Sequence, residues 1–220
     1  MPNWVLNKVH FIGNKKDIEK LKKLVVSDKC GFDFNRIIPM PEDLRLDHGS
    51  SDSISMAFAE VKRKHGKNWK SSAEFRKLIE KYHETSWLIS AHTYDEWAEI
   101  GERYLTNKQK YGYTTWYDWC CDKWGTKWNA CDEHWEGNDL QFSTAWSMPE
   151  PVFEKLAELF PGVTIEVSFA DEDLGNNCGQ ALYNEDEPGN NVVEYIDTLE
   201  FACDVWGYDA EEIRSECCYE

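Results

Sequence analysis

Between residues 163 and 170, Val163, Ile165, Val167 and Phe169 alternate without a break against Thr164, Glu166, Ser168 and Ala170. Successive side chains of a strand point to opposite faces, so this segment is a strand with one buried and one wet face. Such a strand belongs to a sheet that buries one face against a second layer of structure. The rest of the chain must supply that layer and the neighbouring strands.

Residues 4–12 (Trp-Val-Leu-Asn-Lys-Val-His-Phe-Ile) are rich in β-branched and aromatic residues and read as a first strand. Gly13 ends it, and Asn14 is suited to cap the next helix. Ile18, Leu21, Leu24 and Val25 form one apolar face of a helix over residues 15–27. Residues 32–38 alternate again, which predicts a second strand that stops at Pro39. Residues 42–55 are polar and read as loop. Three helices are then expected, over 73–83 (Phe75, Leu78, Ile79, Tyr82), 94–105 (Trp97, Ile100, Tyr104) and 115–124 (Trp116, Trp119, Trp124).

Strand signals return over 127–135 and 138–146, and Glu136-Gly137 between them predicts a hairpin. Ser147, Pro149 and Glu150 make a helix start, with Ser147 as the expected cap. Val152, Leu156, Leu159 and Phe160 give that helix its apolar face, and Pro161-Gly162 ends it. After the strand at 163–170 come a polar turn at 171–177, a partner strand at 179–184 and a turn at 186–190. A last strand is expected over 191–201, and a short helix over 209–217 capped by Asp209.

This order is α+β. It matches the ferredoxin-like βαββαβ plan, an antiparallel sheet with a helical insertion in its middle. We read residues 1–220 as a single ferredoxin-like domain, with the insertion at about 42–122 and an acidic extension at about 186–220. The plan hosts many activities and specifies none.

Charge narrows the functional classes. The formal net charge is −17, and residues 129–220 carry −21 against +4 for residues 1–128. Lys155 and Arg214 are the two cations of the C-terminal portion. A field of this sign repels phosphates and attracts basic partners, so direct nucleic-acid binding there is not expected. Helix 15–27 offers a counter-reading, because Lys16, Lys20 and Lys23 share one face beside Lys15 and Lys22.

No apolar run approaches the roughly 18 residues that span a membrane, and the first residues lack a basic and then apolar leader. A cytoplasmic location without membrane contact is the expectation. Eight cysteines are then expected to be free thiols. Cys131 and His134 form a Cys-x-x-His pair with no second pair at zinc-finger spacing. The sequence holds no glycine-rich phosphate loop, and neither a cofactor nor a metal is expected.

Four motifs in order are distinctive: Met1-Pro2-Asn3-Trp4 with Asn7; residues 32–41 (Phe-Asp-Phe-Asn-Arg-Ile-Ile-Pro-Met-Pro); residues 124–129 (Trp-Gly-Thr-Lys-Trp-Asn); and residues 142–151 (Phe-Ser-Thr-Ala-Trp-Ser-Met-Pro-Glu-Pro). With them the chain resembles the YubB-type family of phage and plasmid proteins. That resemblance implies a ferredoxin-like fold and a mobile-element context, and it brings no catalytic residues.

The candidate binding residues are Trp124, Thr126, Lys127, Trp128 and Asn129, with Trp146 and the acidic turn Asp171, Glu172 and Asp173. Tryptophan is enriched at binding hot spots. The structural reading, which we favour for residues 124–129, is that Trp124 and Trp128 pin the insertion to the sheet while Lys127 pairs with a carboxylate. Asp171, Glu172 and Asp173 lack the spacing of a calcium loop. The expected function is a non-enzymatic accessory protein that binds a basic host-protein surface, in counter-defence or as a nucleic-acid mimic. The alternative is an enzyme or small-ligand binder that uses residues 124–129.

Overall fold

The computed structural model describes residues 2–49, 51–83, 90–184 and 191–217. The chain divides into two compact units, residues 1–39 with 120–220 and residues 40–119. The strands are β1 (Trp4–Gly13), β2 (Cys131–Glu136), β3 (Asp139–Ala145), β4 (Val163–Asp171), β5 (Cys178–Tyr183) and β6 (Val192–Tyr195). The α-helices are α1 (Lys15–Val25), α2 (Asp52–His65), α3 (Ala73–Lys81), α4 (Tyr94–Tyr111), α5 (Trp116–Lys123), α6 (Glu150–Leu159), α7 (Leu199–Trp206) and α8 (Ala210–Cys217).

The first unit is built on one antiparallel sheet of strand order β2-β3-β1-β4-β5-β6. β1 is central: Val5 stands opposite Thr144 on one side and Asp171 on the other. Strands β2, β3, β1 and β4 with α1 and α6 form the ferredoxin-like plan, and β5 and β6 extend the sheet beyond it. The fold is α+β, as the order of periodicities predicts.

Alternation along β1 divides its side chains between two layers. Val5, Val9 and Phe11 are buried on one face. On that face Phe142 packs 4.9 Å from Phe32 and 6.2 Å from Phe153 of α6. Phe11 stacks on Trp135 at 5.6 Å, and Lys22 of α1 lies over that indole at 4.8 Å. On the other face Leu6, Ala170 and Cys178 meet Ala202 and Val205 of α7. Each large side chain sealed in this way contributes about 1.5–3 kcal/mol of transfer free energy.

Several local expectations are corrected. Residues 32–38 are not a strand: Phe34–Arg36 is a 3-10 turn. The Asn129 side chain takes the Phe34 N–H at 2.8 Å, and Asp33 takes that of Asn35 at 3.0 Å. Donors that would enter a ladder are thus held by side chains, while Phe32 and Phe34 bury their rings together. The second and third strands of the plan are therefore the hairpin β2-β3, and the helical segment falls between α1 and β2.

β2 starts at Cys131 rather than residue 127, and its register shifts between Cys131 and His134, where Asp132 has φ 55°. Residues 42–55 are not all loop, because α2 begins at Asp52. The expected strand over 191–201 stops at Tyr195, and Thr198 caps α7 by accepting the Phe201 N–H. Ser147 does not cap α6. Its hydroxyl donates to the Gly125 carbonyl instead. Asn14 does cap α1, accepting the Asp17 N–H at 3.0 Å. The expected turn at 186–190 lies outside the described residues.

The second unit is helical. Phe58 of α2, Trp69, Phe75 of α3 and Trp97 of α4 form its buried core. Trp69 and Phe75 meet edge to face at 5.2 Å. α4 starts with a reciprocal cap between Thr93 and Glu96. At Gly101 a Cβ would fall 1.9 Å from the Ser55 carbonyl oxygen, so α2 and α4 touch backbone to backbone there. Among the described residues no helix is long and apolar enough to cross a membrane.

Candidate functional site

Residues 124–129 form the turn that leads from α5 towards β2, and most of them look inward. Trp124 is buried, stands edge-on to Phe34 at 5.7 Å and donates its indole N–H to the Ile38 carbonyl at 2.9 Å. Gly125 has φ 73°, and a Cβ there would meet Pro151 at 2.7 Å. Both conditions call for glycine. Thr126 is buried and donates to the Ala145 carbonyl at 2.6 Å. Asn129 accepts from Phe34 N–H and donates to the Asp33 carboxylate, both at 2.8 Å. Burial pushes the Asp33 carboxyl up, but hydrogen bonds from Asn129, Ser27 and Asn35 outweigh it and hold the group below its ordinary value.

Lys127 and Trp128 look outward, and the fold brings Trp146 to them from the end of β3. The Lys127 ammonium lies 4.5 Å from the ring centre of Trp128 and 4.8 Å from that of Trp146. A cation over an indole face gains about 0.5–1 kcal/mol at an exposed site. Trp128 is 37 % and Trp146 39 % exposed, although both are large and apolar. Trp4, at the start of β1, stands 5.9 Å from Trp128. Three tryptophans and one lysine therefore share a surface at the end of the sheet where β1 begins and β3 stops.

Trp146 is held there by an unusual backbone. Its φ is 75°, the left-handed region that bulky residues avoid. Its N–H donates to the Asn3 carbonyl at 2.9 Å, and its own carbonyl accepts from Asn177 at 2.9 Å. Strain of this kind persists only where surrounding bonds enforce it.

The acidic turn splits in two. Asp171 is buried and acts as a hub: its carboxylate accepts from Asn3 at 3.2 Å, Asn177 at 3.0 Å and the Asp173 N–H at 2.9 Å. Its carbonyl accepts from the Trp206 indole at 3.1 Å. Glu172 and Asp173 are exposed, and the Glu172 N–H donates to the Trp4 carbonyl at 2.8 Å. Asn3 and Asn177 thus join both candidate sets, the indoles and the acids, at one end of the sheet. Sequence reasoning missed these two residues. The Asn3-Trp4 pair in the first motif was the one available signal.

Among the described residues no three His, Cys, Asp or Glu side chains converge as a metal cluster. Among the described residues Cys30, Cys120, Cys121, Cys131, Cys178 and Cys203 form no disulfide. Cys30 is pushed up to about 12 by burial and by a hydrogen bond to Glu133, whose carboxylate lies 2.8 Å from its sulfur. On α1, Lys20 pairs with Asp17 at 2.7 Å and Lys15 with Glu19 at 4.0 Å, while Lys22 lies on Trp135. Of the lysines that share the basic face, Lys20 thus has a carboxylate partner.

Residues 123–215 match the family described as the ferredoxin-like domain in Api92-like protein. The crystal structure of a protein api92 from Yersinia pseudotuberculosis is similar at a TM-score of 0.42 and 12 % identity, covering 89 % of this chain and 99 % of that one. No curated protein matches the sequence. The matched segment contains β3 and β4 but not β1, the strand that lies between them here.

Proposed function

We propose that this chain is a non-enzymatic accessory protein of a mobile genetic element, a phage or plasmid. It works in the bacterial cytoplasm by binding a basic surface of a host protein. The observation that carries this reading is the outward pair Trp128 and Trp146, fixed around Lys127 beside the exposed carboxylates of Glu172 and Asp173. Rigid indoles provide desolvated anchor area, and a rim of charge steers the encounter.

The net charge of −21 over residues 129–220 fits a partner whose own surface evolved to hold nucleic acid. Mimicry of a nucleic acid, used to block a host defence enzyme, is the biological role we assign. The mobile-element context comes from the resemblance of the four motifs. The polar groups of Thr126 and Asn129 are engaged by the backbone and by Asp33, which disfavours a small-ligand site in the same turn.

The test is capture of host proteins by the wild-type chain, by Trp128→Ala and by the pair Glu172→Lys and Asp173→Lys. We expect a basic protein that the wild type retains at low salt, and that high salt or either variant releases. Equal capture by all three chains would refute the assignment.

A further inference from the structure

Among the described residues, the sheet face opposite α1 and α6 is covered at one end only. There α7 packs on Leu6, Ala170 and Cys178. Farther along the strands the same face carries two shallow depressions of about 320 and 500 Å³. Both are lined by Glu166 and Ser168 of β4, so they form one trough across the strands. On one side Lys8, His10, Glu136, Asp139 and Gln141 line it. On the other side Gln180, Leu182, Val192 and Glu194 do.

We infer that this trough is a second binding surface, and that it takes an extended lysine- or arginine-rich segment of another protein. It goes beyond the tryptophan surface and does not depend on it. Its carboxylates are Glu136, Asp139, Glu166 and Glu194, against one lysine, Lys8. Asp139 already holds the His10 ring at 2.5 Å, while Glu166 and Glu194 are exposed and enter no ion pair among the described residues.

The dimensions suit an extended chain. Six strands place their outer members about 24 Å apart, the length of about seven residues of extended peptide. Leu182 and Val192, the latter 53 % exposed, offer apolar ground for the stems of long basic side chains, whose heads reach the carboxylates. Ser168, Gln141 and Gln180 offer donors and acceptors to a peptide backbone.

Charge decides among occupants. A nucleic acid or an anionic membrane would bring like charge to these carboxylates, and so would a second copy of the trough. A cationic segment alone is complementary.

The experiment uses the full chain and a fluorescent peptide of about nine residues with arginine at alternate positions, long enough to cross the sheet. Binding is read by anisotropy. We expect saturable binding at low salt that weakens as salt screens it. A double variant, Glu166→Lys with Glu194→Lys, should weaken it roughly ten-fold or more. Glu166→Gln with Glu194→Gln should fall between, and circular dichroism should show both variants folded. Trp128→Ala should bind the peptide as the wild type does, which separates this claim from the tryptophan surface. Failure of the peptide to bind, equal binding by the lysine variant, or binding lost through Trp128→Ala alone would each overturn the proposal. So would a self-association in solution that the lysine variant abolishes.

Discussion

The Lys127 ammonium sits 4.8 Å from the ring of Trp146, a residue whose own backbone is left-handed at φ 75°. The contact joins a turn that precedes β2 to the residue that follows β3, and it faces solvent. Replacing Trp146 by glycine should relieve backbone strain worth about 1–2 kcal/mol while it removes the indole. We therefore expect Trp146→Gly to leave the unfolding midpoint close to that of the wild type in a urea titration. The same variant should lose capture of the host partner. A large fall in stability would show that the indole serves the core instead.

In the helical unit, Gly101 allows α2 and α4 to touch at Ser55. A methyl group there has no space, so Gly101→Ala should destabilise by about 1–3 kcal/mol through forced separation of the helices. Circular dichroism during denaturant unfolding would read the loss. Unchanged stability would place the two helices farther apart than described.

Cys30 combines burial with an adjacent carboxylate, and both disfavour the thiolate. With its titration raised to about 12, the sulfur stays protonated across neutral and mildly alkaline pH. Alkylation followed site by site by mass spectrometry should find Cys30 slow at about pH 8, where an ordinary thiol near 8.5 reacts. Glu133→Gln removes the charge and leaves the burial. Its rate should rise, with the pH profile shifted down but still above that of a free thiol. A wild-type Cys30 that reacts like a free thiol would contradict the geometry.

β3 and β4 do not pair with each other; each pairs with β1. A fragment of residues 123–215 lacks that strand and should be unfolded in isolation by near-ultraviolet circular dichroism. Adding a peptide of residues 1–39 should restore structure by supplying β1 and α1. A cooperatively folded fragment alone would require a different strand order.

Much of this architecture is legible in the sequence where one periodicity stands alone. β4 is read directly because Val163, Ile165, Val167 and Phe169 have no competing pattern, and α1 and α6 show helical stripes. Residues 32–38 carry the same alternation yet form a turn, because Asn129, distant in sequence, captures a backbone N–H. α7 is apolar along most of its length and so looks like a continued strand until the Thr198 cap is seen. α2 has few large residues besides Ile54 and Phe58, which hides its stripe. The candidate surface was half legible. Tryptophan density marks Lys127, Trp128 and Trp146, but a run of acids does not reveal that Asp171 turns inward to Asn3 and Asn177 while Glu172 and Asp173 turn outward.

The central claim is that indoles anchor and carboxylates steer, and association kinetics with the captured host protein test it most directly. At about 0.15 M salt the Debye length is about 8 Å, so steering should fade as salt rises through that range. Reversing Glu172 and Asp173 to lysine should lower the association rate and leave dissociation nearly unchanged. Trp128→Ala should raise the dissociation rate, with a loss of about 2 kcal/mol, or roughly 30-fold in affinity. Rates that ignore salt, and that neither substitution alters, would contradict the account.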